Sequence, residues 1–401
     1  MNPIPESVPA VTRANAGPAS TPRRACENQD ERFSSAFSIV RAAIADRAFP
    51  AASVAVSHRG EIVVLKTFGR FTYDSDSPLV APDTMFDVAS VSKVVATTTM
   101  AMMLYERGLL DLDAPVVGIV PEFAGTDFAG AGAGDGDARR LAVTQRMLLA
   151  HSSGLPAYEK LFLKARTREQ LLRAAFTTPL VAEPGSRAEY SDVGFMILGE
   201  TLERVAGETI DRFCQREIFG PLGMAHTTYN PPPEARVKIP PTQDDRTFRK
   251  RIIQGEVQDE NASVLGGVAG QAGVFSTAED LARFAHAMLG GGNPILRPET
   301  VAVFTRRESA PAGTSRASSR VLGWDTPSGH SQSGKYFSTR AYGHLGYTGT
   351  SLWIDPAREL SVVLLTNRTW PDSSNQMSSQ AIKQVRPKFH DAVVEALDAA
   401  G

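Results

Sequence analysis

The stretch FDVASVSKVV, at residues 86–95, has a hydroxyl and an amine three residues apart, at Ser90 and Lys93. On a helix this spacing puts both side chains one turn apart on the same face. A serine hydroxyl is a poor nucleophile near neutral pH unless a neighbouring base takes its proton, and burial lowers the pKa of a lysine toward that task. A helix that begins near Ser90 also offers free backbone N–H groups to a developing negative charge. The stretch therefore predicts a serine nucleophile beside its base.

The composition of the chain is ordinary for a soluble globular protein, with 42% hydrophobic and 21% charged residues. A formal net charge of −2 gives no basic field for nucleic acid, and no apolar run reaches the roughly 18 residues of a membrane span. Cys26 and Cys214 are too few to form a disulfide framework. Nucleic-acid binding and a membrane span are therefore not expected.

The first 30 residues are rich in Pro, Ala, Ser, Thr and Asn, and they lack the apolar core of a signal peptide. This composition predicts a disordered N-terminal tail at residues 1–30. Without a signal peptide we expect a cytoplasmic protein, or a periplasmic one if the start codon is misassigned.

Patterns at both ends of the chain predict a sheet with a helix at each end. Residues 32–48 carry apolar side chains at helical spacing, and residues 51–57 and 61–68 indicate a β-hairpin around the turn at 58–60. Four later stretches are rich in strand-forming residues: 321–324, 342–347, 351–354 and 360–367. A final helix is predicted to open at Pro387, because proline is favoured in the first helical turn.

Helical patterns dominate the middle of the chain. The order of elements predicts an α+β fold, in which an antiparallel sheet is flanked by N- and C-terminal helices and interrupted by an all-helical domain. We assign residues 31–82 and 255–401 to the sheet domain and residues 83–254 to the helical domain. The helical domain carries the 90–93 motif and Tyr190.

Further chemistry-bearing patterns follow the first. YSD occurs at residues 190–192, and HLG at residues 344–346 lies just before a predicted strand. The glycine cluster at 266–273 does not match the spacing of a dinucleotide-binding loop, so we expect it to let the backbone approach a pocket closely. His151, before Ser-Ser-Gly, is a candidate base, although a role in pinning its loop is favoured.

The order of these motifs resembles that of a known enzyme superfamily. Ser-x-x-Lys at 90–93, Tyr-x-Asp at 190–192 and His-x-Gly at 344–346 occur in that order, with LLAHSSGLP at 148–156 and PLGM at 221–224. The chain resembles the serine β-lactamase and penicillin-binding-protein superfamily, which includes class C β-lactamases, D-Ala-D-Ala peptidases and β-lactamase-like esterases. The resemblance covers roughly residue 32 to the C-terminus, and it implies a β-lactamase/transpeptidase-like fold.

The resemblance also implies roles. Ser90 would attack a carbonyl and become acylated, while Lys93 would hold or take the hydroxyl proton. Tyr190 would be the general base and later the acid, if the Lys93 ammonium favours a phenolate over a phenol with its usual pKa of about 10. The backbone N–H groups of Ser90 and Tyr347 would form the oxyanion hole. No metal and no cofactor is expected.

The sequence departs from the β-lactamase pattern at two positions that would bind substrate. Asp192 stands where the lactamases carry an amide, and a carboxylate accepts hydrogen bonds but does not donate them. His344, two residues before Gly346, stands where they carry lysine, and histidine is not a fixed cation. Strong penicillin hydrolysis is therefore less expected, since it depends on holding the penicillin carboxylate.

The favoured interpretation is a metal-free serine hydrolase that cleaves an ester or amide, most of all a carboxylesterase. Two hydrolytic alternatives remain, a muropeptide amidase or D-Ala peptidase and a weak β-lactamase. A penicillin-binding or scaffold protein without turnover is a further alternative. We find no G-x-S-x-G elbow of an α/β-hydrolase and no H-E-x-x-H motif. The sequence leaves open the natural substrate among small-molecule esters, amides and β-lactams, the deacylating group and the oligomeric state.

Overall fold

The computed structural model describes residues 22–125, 137–307, 320–329 and 331–399. Its β-strands are β1 Arg23–Arg24, β2 Ala51–His58, β3 Glu61–Gly69, β4 Phe86–Asp87, β5 Thr228–Tyr229, β6 Gln243–Asp245, β7 Arg251–Ile253, β8 Val274–Ser276, β9 Tyr342–Leu345, β10 Ser351–Asp355 and β11 Leu360–Thr366. Its α-helices are α1 Gln29–Arg32, α2 Ser34–Ala45, α3 Thr99–Glu106, α4 Gln145–Leu149, α5 Arg168–Phe176, α6 Asp192–Ala206, α7 Ile210–Cys214, α8 Pro233–Arg236, α9 Glu260–Val264, α10 Ala278–Leu289, α11 Pro298–Thr305 and α12 Gln376–Asp398.

Tighter and wider helical turns connect these elements. The 3₁₀ turns are Ala89–Val91, Val116–Gly118, Pro121–Ala124, Ala138–Ala142 and Leu161–Leu163. The π-helical stretches are Lys93–Thr98 and Gln215–Phe219.

The main sheet has six strands in the order β1-β3-β2-β11-β10-β9. Neighbouring strands are antiparallel except β1, which runs parallel to β3. The predicted hairpin is confirmed, and β2 and β3 are joined through Arg59 and Gly60 at φ angles of 51° and 83°. Two positive φ angles give the turn whose twist matches that of the flanking strands.

Both faces of this sheet are buried, because alternate side chains along a strand point to opposite sides. Val362 and Leu364 of β11 lie in the core formed with α2 and α12, and Val363 and Leu365 lie in the core that includes α10. The predicted α+β architecture, an antiparallel sheet flanked by N- and C-terminal helices, is confirmed. Among the described residues between β3 and β9, helical elements outnumber strands, and the exact domain boundaries stay predictions.

The predicted N-terminal tail is wrong for residues 22–30. Arg23–Arg24 forms β1 against Glu61 and Ile62, and the Arg23 guanidinium lies 2.7 Å from the Glu61 carboxylate. Backbone pairing to an exposed sheet edge leaves no apolar signal in the sequence, which explains the error. Residues 1–21 of the predicted tail lie outside the described residues.

Two predictions near the C-terminus are also wrong. Residues 321–324 form no strand, although the adjacent Arg320 and Asp325 make an isolated bridge. The last helix opens at Gln376, where the Asn375 side chain accepts hydrogen bonds from two backbone N–H groups, and Pro387 lies inside it. The Asn375 cap therefore determines the start of the helix.

Two small sheets were not predicted. Strands β6 and β7 form a two-stranded sheet, and β4, β8 and β5 form a three-stranded sheet beside the Ser90 segment. Strands of two or three residues are too short to show a period in the sequence. Among the described residues, no helix has both the length and the apolar character needed to cross a bilayer.

Candidate active site

Ser90 lies on a backbone segment that is held from both sides. Asp87, at the end of β4, accepts hydrogen bonds from Ala89 N at 2.8 Å and from Gln258 N at 2.7 Å. Ala89 adopts a φ of 48°, uncommon for a residue with a Cβ. The buried carboxyl of Asp87 therefore fixes the turn that presents Ser90 at the start of its helical segment.

The structure brings the first two motifs into direct contact. Ser90 Oγ lies 2.8 Å from Tyr190 Oη and 3.0 Å from Lys93 Nζ. Tyr190 Oη in turn donates to Asp192 Oδ1 at 2.9 Å. Four side chains from two distant segments therefore form one hydrogen-bonded cluster.

The Lys93 amine is completely buried and fully hydrogen-bonded. It donates to Ser90 Oγ, to Asp192 Oδ1 at 2.6 Å and to the carbonyl of Gln271 at 2.9 Å, so three acceptors surround its three protons. Burial lowers the Lys93 pKa and the carboxylate of Asp192 works against that shift. The three-acceptor geometry fits an ammonium ion in the resting protein.

Tyr190 is held in surroundings that favour the neutral phenol. Burial raises its pKa well above the usual value, and the nearby charge of Asp192 raises it further. Because Tyr190 donates its proton to Asp192, the Ser90 hydroxyl is the donor in the contact between Ser90 and Tyr190. In the resting protein Ser90 therefore donates to Tyr190, and Tyr190 donates to Asp192. Tyr190 is then a phenol and not the phenolate that the sequence analysis considered.

The start of α6 positions the second motif. Ser191 Oγ caps the helix by accepting from Gly194 N at 3.0 Å, and it donates to the carbonyl of Pro156 at 2.7 Å. The backbone N–H of Asp192 donates to the carbonyl of Ala157 at 2.8 Å. The loop at 156–157 therefore fixes where Tyr190 and Asp192 leave the backbone.

His151 supports this segment and does not touch the nucleophile. Its Nδ1 accepts from Ser191 N at 3.0 Å, and its ring stacks on Phe195 and packs against Tyr190 at 4.8 Å between centroids. Burial lowers its pKa far below the usual value. The contacts favour the loop-pinning role over a role as base.

The third motif spans the end of β9 and the turn that follows it, and His344 and Gly346 both line the same cavity as Ser90. His344 Nδ1 donates to the carbonyl of Leu345 at 2.7 Å, and burial with the nearby charges of Arg320 and Lys93 lowers its pKa far below the usual value. His344 is therefore neutral near pH 7 and does not replace a fixed cation.

Gly346 contributes to the site because it has no side chain. A Cβ there would lie 2.0 Å from Thr350 Oγ1 and 2.5 Å from the carbonyl of Val88, so only glycine lets this turn approach the nucleophile segment. Thr348 Oγ1 donates to the carbonyl of Asp87 at 2.8 Å, and Thr350 Oγ1 donates to that of Val88 at 2.9 Å. Two threonine hydroxyls thus tie the turn after β9 to the segment that carries the nucleophile.

The backbone N–H groups of Ser90 and Tyr347 make no hydrogen bond with any described residue. Tyr347 is held by Arg368, whose Nε donates to its carbonyl at 2.6 Å. The buried Arg386 donates to the carbonyls of Gly346 at 2.7 Å and Thr350 at 2.9 Å. Both residues with free N–H groups line the cavity, and this arrangement is suited to an oxyanion.

The cavity above Ser90 has a volume of about 610 Å³. Sequence reasoning missed three of its lining residues, Asp259, Gln271 and Arg320. Gln271 lies within the glycine cluster that was expected near a pocket, so a signal existed for it, whereas Asp259 precedes the cluster by seven residues. Arg320, whose Cζ lies 5.0 Å from the centroid of the Tyr190 ring, belongs to no motif.

The glycine cluster positions a backbone carbonyl that contacts Lys93. A Cβ on Gly270 would lie 2.0 Å from the carbonyl oxygen of Phe195 and 3.0 Å from the backbone of Gly199. The loop therefore lies directly against α6. The next residue, Gln271, then presents its carbonyl to Lys93. Among the described residues, no three His, Cys, Asp or Glu side chains are grouped to hold a metal ion.

Comparison with known proteins gives a consistent picture. The family model named Beta-lactamase matches residues 37–386. A protein of Salmonella agona strain SL483, provisionally named a D-alanyl-D-alanine carboxypeptidase, is 32% identical over 360 residues, which are 80% of each chain. A protein from Salmonella typhi with the same provisional name has the same identity and coverage.

Solved structures share the fold. EstCE1, described as a hydrolase with promiscuous acyltransferase activity, aligns with a TM-score of 0.70 at 22% identity, over 91% of this chain and 99% of its own. A penicillin-binding protein homologue from Caulobacter crescentus aligns with a TM-score of 0.67 at 19% identity, over 90% and 98%. Unliganded simvastatin synthase LovD from Aspergillus terreus aligns with a TM-score of 0.66 at 22% identity, over 90% of this chain and 98% of its own.

At these identities the structures establish the fold alone, and they confirm the predicted β-lactamase/transpeptidase-like architecture. The family match covers most of the chain and includes all three motifs. The chain therefore belongs to the Beta-lactamase family and is a serine hydrolase.

Proposed function

We propose that this protein hydrolyses small carboxylic esters through an acyl-enzyme on Ser90. The contact of Ser90 Oγ with both Tyr190 Oη, at 2.8 Å, and Lys93 Nζ, at 3.0 Å, is the observation that supports this most directly. The neutral His344 does not supply the fixed cation that lysine provides at this position in the β-lactamases, and on that ground we favour an uncharged ester over a β-lactam, although Arg320 lines the same cavity.

Acylation uses the hydrogen bonds of the resting site, from Ser90 to Tyr190 and from Tyr190 to Asp192. Ser90 Oγ attacks the carbonyl carbon while its proton moves to Tyr190 and the proton of Tyr190 moves to Asp192. The oxyanion receives the N–H groups of Ser90 and Tyr347, a contribution typically of about 3–4 kcal/mol per donor. Lys93 remains an ammonium and stabilises the negative charge that develops on Ser90 Oγ.

The leaving alkoxide takes the proton of Tyr190, which is replaced from Asp192, and the alcohol departs. Water then attacks the acyl-enzyme, gives its proton to Tyr190 and releases the acid, and Ser90 recovers its proton. The sum is ester plus water giving acid plus alcohol, with no other reactant. Proton transfer by a positioned group typically contributes about 10²–10⁴ in rate.

Cleavage of a peptide that ends in D-alanine is the second candidate. The provisional name of the Salmonella relatives, at 32% identity, favours it. An amide needs a better proton donor for its leaving nitrogen than an ester does, and Tyr190 contacts both Ser90 and Asp192 for that step. A carboxypeptidase also has to hold the terminal carboxylate of its substrate, for which the cavity offers Arg320 but not the neutral His344.

A substrate panel tests the proposal. We expect the wild-type protein to hydrolyse short-chain nitrophenyl esters faster than nitrocefin or a peptide ending in D-Ala-D-Ala. Ser90→Ala should reduce ester turnover to the background rate. Ser35→Ala is the matched control, because it removes an exposed serine hydroxyl of α2, which does not line the cavity.

Three outcomes separate the alternatives. Release of D-alanine at a higher kcat/KM than any ester would favour the peptidase. Acylation of Ser90 by a fluorescent penicillin without turnover of any substrate would favour a penicillin-binding or scaffold protein. Ester turnover that survives Ser90→Ala would contradict both hydrolytic proposals.

A further inference from the structure

A buried cation lies behind the turn that follows β9. Arg386, on α12, has 4% of its surface exposed. Its guanidinium donates to the carbonyls of Gly346 at 2.7 Å, Thr350 at 2.9 Å and Gly349 at 3.3 Å. It also donates to Gln332 Oε1 at 2.9 Å. All four acceptors are neutral oxygens, so none of these contacts neutralises the positive charge.

Arg386 keeps its charge in the folded protein. Burial, and then the charge of Arg368, lowers the pKa of Arg386 to about 9, so the guanidinium is still protonated near pH 7. Its contacts agree with that state, because a protonated guanidinium has five N–H donors and no acceptor.

One of the four contacts reaches the peptide group that carries an oxyanion donor. The carbonyl of Gly346 and the N–H of Tyr347 belong to the same peptide bond. This bond is trans, so its carbonyl and its N–H point in opposite directions. The N–H of Tyr347 therefore points away from Arg386, and Tyr347 lines the cavity.

A cation at the carbonyl end of a peptide strengthens the donor at its other end. Resonance couples the two ends of the peptide group, and hydrogen bonds in a chain strengthen one another by about 10–30% each. A charged donor is roughly twice as strong as a neutral one. Arg386 is thus suited to strengthen the hydrogen bond that the N–H of Tyr347 gives to an oxyanion.

The turn itself explains only the orientation of this peptide. Gly349 N donates to the carbonyl of Gly346 at 3.0 Å, and Gly346 N donates to that of Thr350 at 2.7 Å. Both carbonyls therefore have a neutral backbone donor without Arg386. What Arg386 adds is a positive charge at the peptide that faces the reaction.

The second buried arginine at this turn acts on a different peptide. Arg368 Nε donates to the carbonyl of Tyr347, which shares its peptide bond with the N–H of Thr348. Arg368 therefore fixes Tyr347 without contacting the peptide that bears the oxyanion donor.

We propose that Arg386 is a positioning residue for ester hydrolysis, which holds and polarises the peptide between Gly346 and Tyr347 and so strengthens the oxyanion hole. Arg386 does not line the cavity, and it acts most strongly when negative charge develops on the carbonyl oxygen of the substrate. This inference rests on the proposed serine hydrolase function and adds a residue that belongs to none of the three motifs.

Removal of the guanidinium tests this role. Arg386→Met keeps a long side chain and loses the charge, while the backbone donors of the turn still bond to the carbonyls of Gly346 and Thr350. We expect kcat/KM for nitrophenyl acetate to fall at least tenfold. Outright loss of one oxyanion donor typically costs about 10²–10³ in kcat, and a weakened donor costs less.

Arg140→Met is the matched control. Arg140 is also buried, with 3% of its surface exposed, and it donates to the carbonyl of Phe176 at 2.7 Å and to that of Thr178, away from the cavity. The folded control variant should keep the wild-type kcat/KM. Thermal unfolding shows whether each variant is folded.

A pair of inhibitors separates this role from a structural one. Phenylboronic acid becomes an anionic tetrahedral adduct when a serine oxygen bonds to its boron, whereas benzamide, of similar shape, stays neutral. Arg386→Met should weaken inhibition by the boronic acid about tenfold and leave inhibition by benzamide nearly unchanged. Arg386→Gln, which keeps amide donors without the charge, is the second variant and should give the same result.

The outcomes distinguish this proposal from the one on which it rests. If ester hydrolysis depends on Ser90 and a folded Arg386 variant keeps the wild-type kcat/KM, the role of Arg386 is wrong and the hydrolase stands. Equal weakening of both inhibitors, or loss of the fold in both Arg386 variants, would show a structural role and overturn the inference as well. If no ester is hydrolysed in a Ser90-dependent way, both proposals fail together.

Discussion

At the scale of single residues, the position of the protons determines the chemistry. Lys93 makes three donor contacts, and Tyr190 donates to Asp192 in surroundings that raise its pKa. A phenolate base therefore does not fit this site, whereas a relay that ends on a carboxylate does. The departure from the β-lactamase pattern at Asp192 then has a chemical meaning, because an amide at that position does not accept a proton.

Asp192→Asn tests the relay. We expect kcat/KM for a neutral nitrophenyl ester to fall at least 100-fold, since the terminal proton acceptor and the counter-ion of Lys93 are both lost. Tyr190→Phe should give a loss of similar size, and the double variant should lose little more than either single one. The relay would be contradicted if the losses of kcat/KM in the two single variants added up in the double variant. It would also be contradicted if kcat/KM of Asp192→Asn lay within a few-fold of wild type, and the base would then be a residue other than Asp192.

At the scale of elements, the site depends on how closely two segments approach each other. Thr348 and Thr350 hold the turn after β9 against the carbonyls of Asp87 and Val88. This contact sets the separation between the free N–H groups of Ser90 and Tyr347. An oxyanion hole assembled from two segments is only as accurate as the contact between them.

Gly346→Ala tests this contact. The added methyl group would overlap Thr350 Oγ1 and the carbonyl of Val88, so the turn must move away from Ser90. We expect kcat for ester hydrolysis to fall more than tenfold while the protein stays folded, as measured by steady-state kinetics and thermal unfolding. Gly118→Ala is the control, because a Cβ there meets nothing within 4 Å. Equal kcat values for the two variants would show that the approach of the turn is not required.

The same scale shows what the sequence could predict. The hairpin of β2 and β3 and the N-terminal helix α2 agree with prediction, because each has a local signal in turn chemistry or periodicity. The short strands β4 to β8 do not, because tertiary contacts determine them, and the last helix begins at the Asn375 cap and not at Pro387. The first two motifs predicted Ser90, Lys93 and Tyr190.

Other features of the site have no local signal. The neutral state of Tyr190 and the contact of Arg386 with the carbonyl of Gly346 follow from burial and from partners far away in the sequence. A sequence motif specifies which atoms are present, whereas the surrounding fold determines their protonation.

At the scale of the whole molecule, buried neutral histidines make stability depend on pH. His390 is fully buried, and burial together with the charge of Arg386 lowers its pKa to about 3. The unfolded chain binds a proton to this residue below about pH 6.5 and the folded protein does not. Its contribution is therefore complete above pH 6.5 and is lost progressively as the pH falls toward 3.

We expect the free energy of unfolding to drop by about 2 kcal/mol between pH 6.5 and pH 5 on account of His390 alone. His390→Gln should remove that part of the slope, and His226→Gln, at an exposed histidine, should leave it unchanged. Denaturant titrations at a series of pH values measure the slope. A His390→Gln variant as acid-sensitive as wild type would show that other groups account for the loss.

The central claim is that Ser90 becomes acylated during turnover. The direct measurement is an acid quench of the protein during hydrolysis of an excess of nitrophenyl ester, followed by mass spectrometry of the intact chain and its peptides. We predict an added acyl mass on the peptide that contains Ser90, and none in the Ser90→Ala variant. An acyl group on any other residue, or rapid turnover with Ser90 unmodified throughout, would contradict the account.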